Sequence, residues 1–154
     1  MDGTKQASGR MCFVCGVENP VGLHLKFYAT APREVTVDFT APEYYQGYPG
    51  VLHGGIVASI LDETAGRALM GDNPLRFMFT AKLEVKYRKN VPVGQPLKII
   101  GKGVRDRGRT AECWSGIYNL EGELLAEASA LLVDLPQPPD PAGLEEIGWK
   151  VYPD

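Results

Sequence analysis

The chain has 154 residues, with 16 Lys and Arg against 19 Asp and Glu, a formal net charge of -3, 44% hydrophobic and 23% charged residues. That length holds one ordinary domain, and the hydrophobic content is that of a folded protein rather than a disordered one. The slight acidic excess argues against a nucleic-acid surface, which needs clustered basic charge, and no apolar run approaches the roughly 20 residues of a membrane span.

The chain starts Met1-Asp-Gly-Thr-Lys-Gln, polar with no apolar h-region behind it, so a soluble, cytoplasmic protein is expected, with neither membrane nor nucleic acid as partner. Three cysteines, an odd number, fit a reducing compartment better than a disulfide scaffold. Residues 1–10 read as a loose tail. Cys12-Phe-Val-Cys15 then has the C-x-x-C spacing of a zinc or redox site. A structural zinc needs four ligands, and His24, His53 and Cys113 are scattered singly, so no metal is expected. The pair reads as two small buried hydrophobes beside a Gly/Asn/Pro turn. Leu23, Leu25 and Phe27 alternate with His24, Lys26 and Tyr28, and Val35, Val37 and Phe39 with Glu34, Thr36 and Asp38. Period two predicts half-buried strands joined near Ala31-Pro32-Arg33, with His24 on the solvated face.

Gly47, Pro49 and Gly50 break the chain before His53-Gly54-Gly55. From there Ile56, Val57, Ile60, Leu61, Thr64, Ala65, Ala68 and Leu69 form a wide apolar stripe, a helix running to about Met70 and stopped at Gly71-Asp72-Asn73-Pro74. Four strand patterns follow at Phe79–Arg88, Leu97–Arg105, Arg109–Asn119 and Leu124–Val133, with turns at Pro92-Val-Gly94, Asp106-Arg-Gly108 and Glu121-Gly-Glu123. Prolines make residues 135–143 a stiff extended linker. Beyond it, Leu144 to Val151 with Trp149 packs back as a short helical turn or meets a neighbour. The order predicts an α+β fold: a six-stranded, largely antiparallel sheet wrapped around one long helix, occupying residues 11–134, with 135–154 as a Pro-rich extension. One helix covers only part of such a sheet, so an edge strand or sheet face is expected in a dimer.

At a helix start the first N–H groups lack intrahelical partners and carry the positive end of the macrodipole. Glycines at 54 and 55 let a ligand oxygen approach them, as a carbonyl-polarising site requires. Asp62 and Glu63 sit in mid-helix, where an uncompensated carboxylate is costly to bury. Asp62 lies about 12 Å along the axis from Gly54 and is rotated by about 180° from His53. One helix cannot bring both to one substrate atom. Two helices antiparallel across a two-fold axis can, with Gly54 from one chain and Asp62 from its partner, twice per dimer. Asp62 falls at the edge of the apolar stripe and Glu63 farther round, toward solvent or the dimer seam.

His53-Gly-Gly with Asp62 nine residues on, Thr80-Ala-x-Leu-x-Val-x-Tyr87, and Cys12-x-x-Cys-Gly-x-x-Asn-Pro-x-Gly-Leu23 together resemble the hotdog-fold acyl-CoA thioesterases of the PaaI-like group. The resemblance implies thioester hydrolysis without metal or separate cofactor, coenzyme A belonging to the substrate, in homodimers that can pair into tetramers. Carried over by position, Gly54 donates its N–H to the thioester carbonyl, the partner chain's Asp62 is general base or nucleophile, and His53 and Thr80 orient the carbonyl end and the water or acid. Many relatives have an asparagine six residues before the histidine. Here that position is Gly47, so Gln46 substitutes or His53 and the backbone act alone. Gly55 and Glu63 complete the expected substrate contacts. Lys86, Arg88, Lys89, Arg105, Arg107 and Arg109 are candidates for the CoA phosphates. Tyr44, Tyr45, Tyr48, Leu69, Phe77 and Phe79 are the expected acyl-tunnel lining, suited equally to an aryl or an aliphatic group. A non-catalytic acyl-CoA binding module and an enoyl-thioester hydratase or dehydratase are the rival readings.

Overall fold

Short turns fix most of this architecture, because strands joined by a few residues can only run antiparallel. The computed structural model describes residues 2–71, 73–137 and 139–154; Met1, Asp72 of the expected helix stop and Pro138 of the linker lie outside the described residues. In chain order the elements are β1 (Thr4–Lys5), β2 (Tyr28–Ala31), β3 (Glu34–Thr40), a 3-10 turn (Glu43–Tyr45), α1 (Gly54–Arg67), β4 (Met78–Tyr87), β5 (Pro96–Asp106), β6 (Thr110–Tyr118), β7 (Leu124–Asp134) and α2 (Pro141–Glu146). All seven strands pair antiparallel in the order β1-β2-β3-β5-β6-β7-β4.

β4 follows α1 in sequence but lies beside β7, at the opposite edge from β1. The helix therefore crosses one face of the sheet and touches β3, β4, β5, β6 and β7. Val57, Ile60 and Leu61 are fully buried against Val35, Val37, Leu97, Ile99 and Ile117. Each such side chain contributes about 1.5–3 kcal/mol relative to exposure. Helix and sheet approach closely at Gly101, where a Cβ would lie 2.4 Å from the Thr64 carbonyl oxygen, so only glycine fits. Ser115 Oγ donates to the Leu61 carbonyl at 2.7 Å, which satisfies one polar contact inside this interface.

Four expectations change. The described residues form seven strands, not six, because the N-terminal residues are not a loose tail: Thr4 and Lys5 pair with Ala29 and Tyr28, and Ser8 bridges Lys150. Leu23, Leu25 and Phe27 are buried in alternation without being a sheet strand. Leu23 and Leu25 donate their N–H groups to the carbonyls of Phe13 and Val14 instead, so period two here reports a loop-to-loop pairing. α1 ends at Arg67, before Met70, in two tight turns closed by Ala68 N–H to Ala65 O and Met70 N–H to Arg67 O. The expected extended linker becomes helical at Pro141, where Asp140 caps the Ala142 N–H and proline takes the first helical position. Trp149 then packs back edge-on against Phe77.

Among the described residues β4 has a strand partner along one side only, and much of it is exposed, including Phe79 and Tyr87. A long unpaired edge of this kind is a template for pairing with another chain.

Candidate active site

The loop ahead of α1 presents the helix start to solvent. Gln46 pairs with Leu52 as a β-bridge, Gly47 N–H donates to Val51 O at 2.8 Å, and Gln46 Oε1 accepts the Gly50 N–H at 2.9 Å. The Gln46 carbonyl thus braces the loop, leaving its amide N–H groups as donors. His53 caps the helix: its Nδ1 accepts the Gly55 N–H at 2.9 Å, and its carbonyl accepts from Ile56 and Val57 at 3.0 Å each. An accepting Nδ1 places the ring proton on Nε2. Gly55, expected as a substrate contact, already has its N–H engaged by this cap. The Gly54 N–H has no partner among the described residues and lies exposed at the positive end of the helix. Tyr87 of β4 holds this turn from outside, its hydroxyl donating to the Gly54 carbonyl at 2.6 Å.

Asp62 is half-buried in mid-helix, and Thr80 Oγ1 donates to its Oδ1 at 2.6 Å. The strand supplies that contact through an irregularity. Thr80 pairs with Leu132 but Lys82 with Leu131, so Ala81 is an inserted residue, and such a bulge re-aims the neighbouring side chains. Asp62 and Thr80 line a groove of about 390 Å³ together with Glu63, Gly66, Arg67, Met70, Phe77, Met78, Phe79, Leu135 and Trp149. Of the expected tunnel residues, Phe77 and Phe79 line it. Tyr44 and Tyr48 are exposed at the loop, Tyr45 donates to the carbonyls of Val21 and Gly22, and Leu69 is buried below.

Glu63 is partly buried. Its Oε1 accepts from Arg67 Nε at 3.0 Å and its Oε2 from the Cys12 thiol at 3.3 Å, so it turns toward the N-terminal wrap. Arg67, which the sequence reading passed over, is 3% exposed. Its Nη1 donates to Ala7 O at 2.7 Å, and its guanidinium lies 4.3 Å from the Phe27 ring centre and 5.2 Å from that of Trp149. The available signal was the i, i+4 spacing of Glu63 and Arg67.

The basic candidates split. Arg88 donates to Glu127 at 2.8 Å and Lys89 pairs with Glu123. The Trp114 N–H and Arg88 together hold the Glu127 carboxyl below its ordinary range. Lys86 is exposed with no ion-pair partner among the described residues, and Arg107 and Arg109 are exposed at the β5–β6 turn, far round the sheet from Lys86 in strand order.

A family model described as the thioesterase superfamily matches residues 49–126, half of the chain, from the loop before α1 into β7. Acyl-coenzyme A thioesterase THEM4 of Rattus norvegicus is 28% identical over 133 residues, which are 85% of this chain and 56% of that protein. The chain spans about half the length of the curated relatives it matches. Among solved structures, one thioesterase superfamily protein is 29% identical with a TM-score of 0.73, over 81% of this chain and 61% of the other. The E. coli PaaI protein from the phenylacetic acid degradation operon shares the fold at a TM-score of 0.68 with 13% identity, over 75% of this chain and 83% of its own. An antiparallel sheet wrapped on a single long helix, a glycine-rich helix entry and this family match agree: the chain has the hotdog fold and belongs to the thioesterase superfamily.

Proposed function

We propose that the protein hydrolyses an acyl-CoA thioester to the free acid and CoA, with each site shared between two chains. The observation that carries this reading is the pairing, on one helix, of an unengaged Gly54 N–H with the Asp62–Thr80 contact eight residues further on. The thioester carbonyl oxygen accepts from the Gly54 N–H of one chain, beside the His53 Nε2–H. Asp62 of the partner chain, held by Thr80, takes a proton from water as the oxygen attacks the carbonyl carbon, or attacks it directly to form an acyl-enzyme. The oxyanion stays at the Gly54 N–H until the C–S bond breaks and the CoA sulfur leaves as thiolate. A thioester is electrophilic enough for a carboxylate base and one or two N–H donors to suffice, so no metal or cofactor beyond the substrate's CoA enters the reaction.

The unpaired edge of β4 supports the dimer. Joining two copies there by a two-fold axis continues the sheet and lays the α1 helices antiparallel, with the start of one beside the middle of the other. Lys86, near the end of β4 and without an ion-pair partner among the described residues, is the first candidate for the CoA phosphates, with Arg88 and Lys89 joining it if they exchange Glu127 and Glu123 for phosphate. Pairing of dimers into tetramers is compatible with the exposed outer sheet face. No helix among the described residues is long and apolar enough to cross a membrane, and three free thiols fit a cytoplasmic setting.

A thiol-release assay over straight-chain and aryl acyl-CoAs tests this reading. Turnover is expected, falling about 10²- to 10⁴-fold in Asp62→Asn. Hydrolysis by Asp62→Asn within twofold of wild type removes the carboxylate from the mechanism. Tight acyl-CoA binding without thiol release replaces the enzyme by a sensing module, and enoyl product from a 3-hydroxyacyl-CoA without thiol release replaces it by a dehydratase.

A further inference from the structure

The Cys12–Cys15 turn plays no part in that chemistry, yet its thiols are arranged rather than merely buried. Gly16 N–H donates to the Cys12 carbonyl at 2.8 Å, closing one helical turn, and Cys15 N–H donates to Cys12 Sγ at 3.4 Å. The closure is so tight that a Cβ on residue 16 would lie 2.3 Å from the Cys12 carbonyl oxygen, so the C-x-x-C-G run needs its glycine. Both sulfurs therefore lie on one side of the turn. Cys12 is half-exposed and Cys15 is 1% exposed. The two sulfurs and a Glu63 carboxylate oxygen all lie within 4.8 Å of one another.

Two features of the surroundings choose between a cation site and thiol chemistry. Glu63, the third possible ligand, is already neutralised by Arg67, and only two thiols remain, short of the four ligands of a structural zinc. Arg67 is a buried guanidinium whose Nη2 has no hydrogen-bond partner among the described residues. The hydrogen bond from Cys15 lowers the Cys12 thiol to about 7, against burial and the Glu63 charge; the same bond, together with burial, pushes the Cys15 thiol up. An accessible thiolate backed by a buried second thiol is the arrangement in which disulfide exchange proceeds in two steps.

We propose that Cys12 and Cys15 form a reversible dithiol–disulfide site, with Cys12 the attacking and Cys15 the resolving thiol, oxidised by low-molecular-weight disulfides such as glutathione disulfide. Cys12 thiolate attacks one sulfur of the oxidant, forming a mixed disulfide and releasing one glutathione thiolate. Cys15 attacks Cys12 Sγ as the second glutathione leaves as thiolate, and the proton given up by Cys15 passes to that leaving thiolate. Two protein thiols are oxidised and one glutathione disulfide is reduced to two thiols. Closure removes the S–H donor from Glu63 Oε2, and Glu63 and Arg67 both line the Asp62 groove, so oxidation is felt there without touching Asp62 or Thr80. The inference stands on the thiol geometry and is independent of the hydrolytic reading.

The full chain is equilibrated in glutathione redox buffers, quenched with an alkylating agent and weighed by peptide mass mapping. The expected product is a Cys12–Cys15 disulfide, two hydrogens lighter than the dithiol and fully reversed by excess reduced glutathione, with Cys113 still a free thiol. Cys15→Ala is expected to stop at the glutathione adduct of Cys12, and Cys12→Ser to form neither adduct nor disulfide at Cys15. In the reduced wild type, Cys12 should alkylate at least about tenfold faster than Cys15. Tryptophan emission, through Trp149 against Arg67, should shift between the two forms. Absence of the disulfide across the whole range of buffers overturns the proposal, as does a stoichiometric zinc that shields both thiols from alkylation. Equal adduct formation on Cys15 in Cys12→Ser overturns the assignment of roles.

Discussion

Gly54→Ala separates a glycine kept for folding from one kept for a ligand. A Cβ there would lie 3.5 to 3.7 Å from the Tyr87 hydroxyl and ring, ordinary contact distances, and Gly54 has no positive φ. The free protein therefore accepts alanine. Because glycine costs a helix up to about 1 kcal/mol relative to alanine, and less in a first turn, stability should be unchanged or rise by up to about 0.5 kcal/mol. For a chain of this size that is a Tm shift of roughly 0 to +2 °C. The new methyl, however, stands beside the N–H that the carbonyl oxygen must reach. Removing one oxyanion donor costs about 10²- to 10³-fold in kcat, and a displaced donor somewhat less, so kcat/KM should fall by at least about tenfold. Thermal unfolding and thiol release on the same preparation read both numbers. If kcat/KM stays within twofold of wild type, the helix start does not bind the carbonyl, whatever the Tm.

Thr80→Val removes the 2.6 Å hydrogen bond to Asp62 while keeping the shape of an exposed strand residue. It should lower kcat/KM by about 10- to 100-fold, and Thr80→Ser should restore activity; because Thr80 is exposed and water can replace its hydroxyl at Asp62 in the free protein, stability should change by less than about 0.5 kcal/mol. A separate charge pair governs acid stability: Arg76 donates to both Asp106 carboxylate oxygens, at 2.5 and 2.9 Å, and holds that carboxyl well below its usual range. A depressed folded-state value stabilises above the unfolded value of about 3.9 and is lost as the pH falls below it. Asp106→Asn should therefore cost about 1–2 kcal/mol in urea unfolding at pH 7, a difference that narrows toward pH 3; an equal gap at both values would refute the pairing as its source.

What could be read from residues alone divides by range. The long helix was legible because a stripe at 3.6-residue spacing admits one local solution, and the four C-terminal strands because each is bounded by its own turn. Leu23 to Phe27 misled for a related reason: alternation reports one-sided burial, and a loop at Phe13 and Val14 supplies that as well as a strand does. The N-terminal strand was invisible because two residues carry no period, and its pairing depends on β2, more than 20 residues away. The Asp62–Thr80 contact spans 18 residues and rests on a bulge at Ala81 that nothing in the local sequence marks, so only the family resemblance proposed the two as neighbours. The partners of Glu63 were not legible, because helical angle alone cannot see Cys12 arriving from the N-terminal wrap.

The same helical geometry makes the shared site testable apart from the chemistry. Within one chain, Gly54 and Asp62 are about 12 Å apart along α1, so no single carbonyl group can meet both. If each site takes Gly54 from one chain and Asp62 from the other, a mixed dimer of Gly54→Ala with Asp62→Asn collects both substitutions in one site and leaves its second site wild type. Random association puts half of the chains into mixed dimers, so co-expression of two nearly inactive variants should recover about one quarter of wild-type turnover. Analytical ultracentrifugation of the same sample confirms the dimer independently. Recovery of nothing beyond the two variants' residual rates, in a preparation where mixed dimers are present by mass, places the N–H donor and the carboxylate in the same chain and requires a different carbonyl position. Recovery near one quarter leaves no such option, because a site contained within one chain would carry one of the two lesions in every copy.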